Sequence, residues 1–214
     1  MTSTSSSKVV TLSISSSSLS NEKSESTAAG PSGDKLTYIT GDLFTSPAGS
    51  ILIHACNTQG SWSAGIALAF KKRFPAQLRA YQAHCKATPD DELIGTCLLL
   101  KMRDFEVNGN AKNSTDRGSW DIACLFTSRA YGRRKDAPGE IVMNTERAMR
   151  DLIRQNTEAK EMNACRFNSG KFAVPWRQTE EILQELDVPM TIYTPPTEVV
   201  TTGPSRAPYS TGPH

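Results

Sequence analysis

The 214-residue chain predicts an α/β domain with a partly parallel sheet and helices on both faces. Three observations carry this. Short apolar runs of strand length alternate with segments whose apolar residues recur at helical spacing. Two of the strand-to-helix connections are built from small and polar residues. The apolar content also lies in the middle of the chain: residues 1–34 hold 13 serines and eight hydrophobic residues, and residues 195–214 hold four hydrophobics among repeated Pro, Thr, Gly and Ser. Ends of that composition bury too little apolar surface to offset ordering entropy. A disordered Ser-rich tail over 1–34, one domain over 35–194 and a second disordered tail over 195–214 are therefore expected.

The first strand is Leu36-Thr37-Tyr38-Ile39-Thr40, which alternates and stops at Gly41-Asp42. Pro47 and Gly49 mark the connection to Ile51–Cys56, an apolar run that suits a buried strand. Its exit, Asn57 to Gly65, is small and polar and leads into a helix over Ile66–Arg73 with cations in its last turn. Pro75 begins a second helical stretch carrying Leu78, Tyr81, Ala83 and Cys85. Thr96–Leu100 and Asp121–Thr127 read as strands, and the polar segment Arg103–Gly118 between them as a surface loop. Glu140–Gln155 places Ile141, Thr145, Ala148 and Leu152 at helical spacing. Ala164–Phe167 reads as a short strand opening onto Asn168–Ala173. Pro175 then takes a first-turn position in a helix through Leu186, and Met190–Tyr193 is the last strand.

Charge and cysteine usage narrow the function. With 24 basic and 22 acidic residues, nothing marks nucleic acid or an anionic membrane as the partner. No uncharged apolar run approaches the 18 or so residues of a membrane span, so a soluble monomer of the cytoplasm or nucleus is expected. Cys56, Cys85, Cys97, Cys124 and Cys165 are odd in number, dispersed and set among apolar residues, as reduced core thiols are. Without a CxxC pair, an HExxH motif or a carboxylate–histidine cluster, neither a metal nor a cofactor is expected.

Specificity then rests on a site. In such sheets ligands bind at the carboxyl ends of strands, and three loops there have suitable composition: Gly41–Phe44, Asn57–Ala67 and Asn168–Ala173. The second ends at a helix N-terminus, where backbone N–H groups and the dipole favour an anion. Taken singly, each loop is more often an ordinary strand-to-helix turn.

The loops share an order. Thr37-Tyr38-Ile39-Thr40-Gly41-Asp42-Leu43-Phe44, His54-Ala55-Cys56-Asn57 with Gly60-Ser61-Trp62-Ser63-Ala64-Gly65-Ile66-Ala67, Cys124-Leu125-Phe126-Thr127-Ser128, and Asn168-Ser169-Gly170-Lys171-Phe172-Ala173-Val174-Pro175-Trp176 resemble a macrodomain over residues 35–194. Within that superfamily the likeness is to fungal ADP-ribose 1''-phosphate phosphatases. The resemblance implies a mixed sheet of about six strands and a cleft for ADP-ribose or its 1''-phosphate, a by-product of tRNA splicing. It implies that Asp42, flanked by Gly41 and Leu43, accepts from the adenine amino group. The strand end Ala55-Cys56-Asn57 borders the cleft, with Asn57 on the distal ribose. Trp62, Ser63, Ala64, Gly65, Ile66 and Ala67, together with Asn168, Ser169, Gly170, Lys171, Phe172, Ala173 and Val174, wrap the phosphates, and Phe172 packs on the distal ribose. Ser63-Ala64-Gly65 stands where the family often has three glycines, and Lys171 where it often has an apolar residue.

For catalysis, His54 and Asn57 are the candidates. His54 is the histidine beside a phosphate loop and has an unperturbed pKa suited to proton transfer, while its place inside an apolar strand equally suits a hydrogen-bonded core residue. Two other readings share the cleft: a module that binds ADP-ribose without turnover, and a hydrolase of ADP-ribosylated proteins. That hydrolase branch uses a lysine after the fourth strand and an aspartate in the last loop, where this chain has Ser128 and Phe172.

Overall fold

A computed structural model of the chain describes residues 35–105 and 120–196. The expected tail over 1–34, most of the expected loop over 103–118 and the C-terminal segment from 197 lie outside the described residues. Six strands form one sheet: β1 (Leu36–Thr40), β2 (Ile51–Asn57), β3 (Cys97–Leu100), β4 (Asp121–Ser128), β5 (Met162–Cys165) and β6 (Met190–Thr194), in the order β1-β6-β5-β2-β4-β3. All neighbours pair in parallel except β3 and β4. The helices are α1 (Gly65–Arg73), α2 (Pro75–Ala87), the single turn α3 (Asp90–Leu93), α4 (Pro138–Gln155) and α5 (Trp176–Glu185).

The phase of β2 sorts the layers. Leu52 and Cys56 join Ile122, Cys124 and Phe126 of β4 under Phe70 of α1 and Tyr81 of α2. Ile51 and Ile53 join Ala123 and Leu125 under Ala148, Met149 and Leu152 of α4 and Leu183 of α5. Helices thus cover both faces, and every residue of β4 is buried, as a central parallel strand requires. The edge position of β1 leaves four of its five residues exposed.

Two expectations shift. The strand expected over Ala164–Phe167 lies at Met162–Cys165, because the Phe167 N–H turns back to the Cys165 carbonyl at 2.7 Å and the Phe167 ring enters the core. Pro175 caps α5 from outside, with φ −54°, instead of sitting in its first turn. The α3 turn was not anticipated. Among the described residues, no helix is long and apolar enough to cross a membrane.

Candidate functional site

Parallel strands all deliver their carboxyl ends to one edge, and there the structure opens a cavity of about 590 Å³. It runs across the ends of β6, β5, β2 and β4, four adjacent strands. At strand spacing this is a slot about 14 Å long, long enough for an extended dinucleotide-like ligand. Of the residues expected to bind, Ala55, Asn57, Ser63, Ala64, Gly65, Ile66, Ala67, Asn168, Ser169, Gly170, Lys171 and Phe172 line it. Ser61, Tyr131, Gly132, Cys165, Arg166, Phe167, Tyr193, Thr194 and Pro195 line it as well.

One wall is the start of α1. Ala64 at the N-cap has φ −150° and ψ 163°, the extended geometry of a capping residue, but carries no side-chain oxygen and makes no cap bond. The first-turn N–H groups of Gly65, Ile66 and Ala67 are thereby left for a ligand in a wall they themselves form. Gly65 sits at φ +55°, a conformation any side chain would strain, and the stem of Lys171 lies 4.0 Å from where its Cβ would be. Lys171 therefore crosses the mouth of this helix end.

The opposite wall, 168–172, is held by Asn168. Its Oδ1 accepts from Thr127 Oγ1 (3.0 Å), its Nδ2 donates to Thr145 Oγ1 (2.8 Å) and Thr179 Oγ1 (3.4 Å), and its carbonyl accepts from the Val174 N–H (3.0 Å). Asn168 and Ala173 both have positive φ, 64° and 55°. Such strain persists where surrounding bonds over-determine the backbone, as these do. Asn57 plays the matching part on the first loop: Oδ1 accepts from the Gln59 N–H (3.0 Å) and Ser61 N–H (3.3 Å), and Nδ2 donates to the Ser61 carbonyl (2.8 Å). An amide nitrogen has two hydrogens, so one remains for a sugar hydroxyl.

The cavity is electrostatically one-sided. No Asp, Glu or His is among its lining residues, whereas Arg166 and Lys171 are, and neither forms an ion pair among the described residues. Burial pushes the lining thiol of Cys165 up to about 12, so it stays a neutral wall group.

Several expected contacts do not reach the cavity. His54 is 0% exposed: its ring stacks on Phe70 at 4.2 Å, meets Trp62 edge-on at 4.9 Å and faces away from the slot, because β2 turns residues 52, 54 and 56 toward α1 and α2. The ring of the expected proton-transfer candidate thus lies in the core behind the slot and outside its lining. Cys56 and Trp62 go to the same core. The Trp62 ring stacks on Tyr81 at 5.2 Å, so it supports the loop from below and lies outside the slot lining. Cys56 Sγ lies 3.5 and 3.6 Å from the two ring nitrogens of His54, and Cys124 Sγ lies 3.9 Å from Nε2. All three side chains are buried in the core under α1 and α2, and none is among the residues that line the slot. Burial raises the Cys56 thiol, while a bond from Cys124 and the electrostatic influence of His54 outweigh it and draw it down. With its sulfur sealed in the core, that shift makes no nucleophile for the slot.

Gly41, Asp42 and Leu43 stand just behind the β6 end, where the Gly41 N–H donates to the Thr194 carbonyl at 2.9 Å. Asp42 Oδ1 accepts from the Phe44 N–H at 3.0 Å, and Oδ2 lies 3.5 Å from Arg73. Ala173 and Val174 lie beyond the lining; Val174 is core, packed with Phe172 and Ile141. Tyr131 and Gly132 carried no sequence signal, since they reach the slot only because β4 lies beside β2.

The Macro domain family model matches residues 53–109. An ADP-ribose 1''-phosphate phosphatase of Chaetomium globosum is 42% identical over 166 residues, covering 74% of this chain and 87% of that protein. The chain belongs to the macrodomain family. A second ADP-ribose 1''-phosphate phosphatase, from Neosartorya fischeri, is 38% identical over 197 residues, covering 75% of this chain and 94% of its own. Among solved structures, the macrodomain of Mycobacterium tuberculosis DarG superposes with a TM-score of 0.56 at 25% identity, covering 75% of this chain and 97% of that one. The six-stranded sheet with its helices is thus the fold of a macrodomain.

Proposed function

We propose that this macrodomain hydrolyses ADP-ribose 1''-phosphate to ADP-ribose and inorganic phosphate, the activity for which its fungal relatives are named. The observation that carries the reading is a slot whose described lining holds no acidic side chain, spanning four strand ends, walled by an uncapped helix N-terminus and by two cations without an ion pair among the described residues. In this reading the domain is residues 35–194 together with Pro195, which joins the slot wall. The adenine lies at the β6 end beside Tyr193 and Thr194 and extends past the lining toward Asp42, the acceptor for its amino N–H. The diphosphate lies between Ser63–Ala67 and Ser169–Phe172, and the distal ribose rests on Phe172 within reach of the Asn57 amide. The monoester phosphate then reaches the β4 end.

The reaction moves one phosphoryl group. Water attacks phosphorus, the bond from phosphorus to the anomeric oxygen breaks, and that oxygen leaves on the sugar as a hydroxyl with a proton from the water. With no carboxylate or imidazole in the lining, rate enhancement comes from N–H and ammonium donors fixed around the phosphate oxygens, and from holding ester and water together. The protein-directed hydrolase reading lacks its two reactive groups: Ser128 is buried and holds Ala130 and Asp136, and Phe172 packs against Ile141 and Val174.

Phosphate release by purified chain, with His54→Leu beside it, tests the assignment. Leucine fills a similar volume, so the variant is expected to keep release within about threefold, whereas losing a true proton shuttle costs about 10²–10⁴-fold. A folded His54→Leu protein with that larger loss returns His54 to the mechanism.

A further inference from the structure

The segment between β4 and α4 is pinned at its neck and bare at its tip. At the neck, Asp136 Oδ2 accepts from the Arg129 N–H (3.1 Å) and guanidinium (3.2 Å), Ser128 Oγ donates to the Ala130 carbonyl (2.9 Å), and the Asp136 N–H returns to Ser128 Oγ (3.0 Å). Thr58 Oγ1 also donates to the Arg129 carbonyl at 2.9 Å, tying this neck to the loop that leaves β2.

The tip is different. Tyr131 is 46% exposed although it lines the slot, and a Cβ on Gly132, at φ +65°, would meet nothing within 4 Å. Arg133 and Arg134 are exposed in the short turn Gly132–Arg134, and Lys135 follows. Of the four cations from 129 to 135, only Arg129 is ion-paired among the described residues, with Asp91 and Asp136. A pinned neck therefore holds Tyr131 and Gly132 in the wall of a slot whose described lining lacks acidic groups, and three cations without an ion pair among the described residues follow directly in the chain.

We infer that the Tyr131–Lys135 tip is the element that selects ligands with a terminal phosphate over plain ADP-ribose, Arg133 and Arg134 engaging the phosphate while Tyr131 covers the sugar that bears it. The inference rests on the reading of the slot given above and extends it from recognition of the diphosphate to discrimination at the far end. Phosphate dianion and guanidinium form strong, paired hydrogen bonds, which a ribose hydroxyl cannot replace. Arg133 and Arg134 are exposed, so their replacement is expected to leave the fold intact.

The test is the double variant R133Q/R134Q on the full chain. Its KM for ADP-ribose 1''-phosphate is expected to rise about tenfold, while the Ki of ADP-ribose as a competing product stays within about twofold. In wild type, raising salt is expected to erode the preference for the phosphorylated ligand and to leave ADP-ribose binding little changed, because exposed charges are screened. Equal weakening of both ligands, or no change in either, overturns the inference. Should wild type release no phosphate, the phosphatase reading falls separately. The loop is then judged by calorimetric Kd for the two ligands, since the phosphorylated one survives the titration.

Discussion

Ala64→Asp is expected to raise the melting temperature by about 2–4 °C and to lower affinity for ADP-ribose by about a thousandfold. Both effects come from one oxygen pair. Ala64 already has the extended backbone of an N-cap and makes no cap bond, so an aspartate there satisfies an orphan N–H of α1 and complements the helix dipole, worth about 1 kcal/mol. For a domain of this size that is a gain of about 2–4 °C. The same carboxylate occupies the anion position in the slot. A unit charge held about 4 Å from a phosphate costs about 4 kcal/mol at an effective dielectric near 20. Differential scanning calorimetry and isothermal titration read the two quantities. A variant that gains stability and still binds ADP-ribose as wild type does would show that the phosphates lie elsewhere.

Asn168→Ala is expected to lose about 3–4 kcal/mol of stability and most ligand affinity together. The alanine keeps a positive φ that it tolerates poorly, at about 1 kcal/mol, and removes the acceptor of the buried Thr127 hydroxyl and the donor to Thr145 and Thr179. Those bonds tie the 168–172 wall to β4, α4 and α5. Asn168→Gly separates the contributions: it relieves the backbone but not the missing bonds, so it recovers about 1 kcal/mol of the loss. Urea unfolding measures both. Equal stabilities for the two variants would remove backbone strain from the account.

How far the sequence could be read follows from the same contacts. The alternation of strands and helices, the two small-residue loops and their order were legible because each depends on local composition. The direction of His54 was not. Apart from His54 itself, Ile51 to Cys56 is apolar, as a strand covered on both faces must be, so no alternation marked which residues faced the slot and which faced α1. Trp62 misled for a related reason: it lies inside a phosphate-loop motif, yet its ring is what the loop is built upon. Tyr131, Gly132 and Arg166 enter the slot through strand neighbours distant in sequence, β4 beside β2 and β5 beside β6, which no local pattern encodes. The shift of β5 by two residues has a local cause, the tight turn at Arg166, which Ala164-Cys165-Arg166-Phe167 does not mark with a glycine or proline.

The measurement that bears most directly on the account is phosphate and ADP-ribose release from ADP-ribose 1''-phosphate by the purified chain, with an ADP-ribosylated protein assayed beside it. The account predicts equal amounts of the two products from the small substrate, inhibition by added ADP-ribose, and no release of ADP-ribose from the protein. Tight ADP-ribose binding with no phosphate released, or release from the modified protein alone, would contradict it.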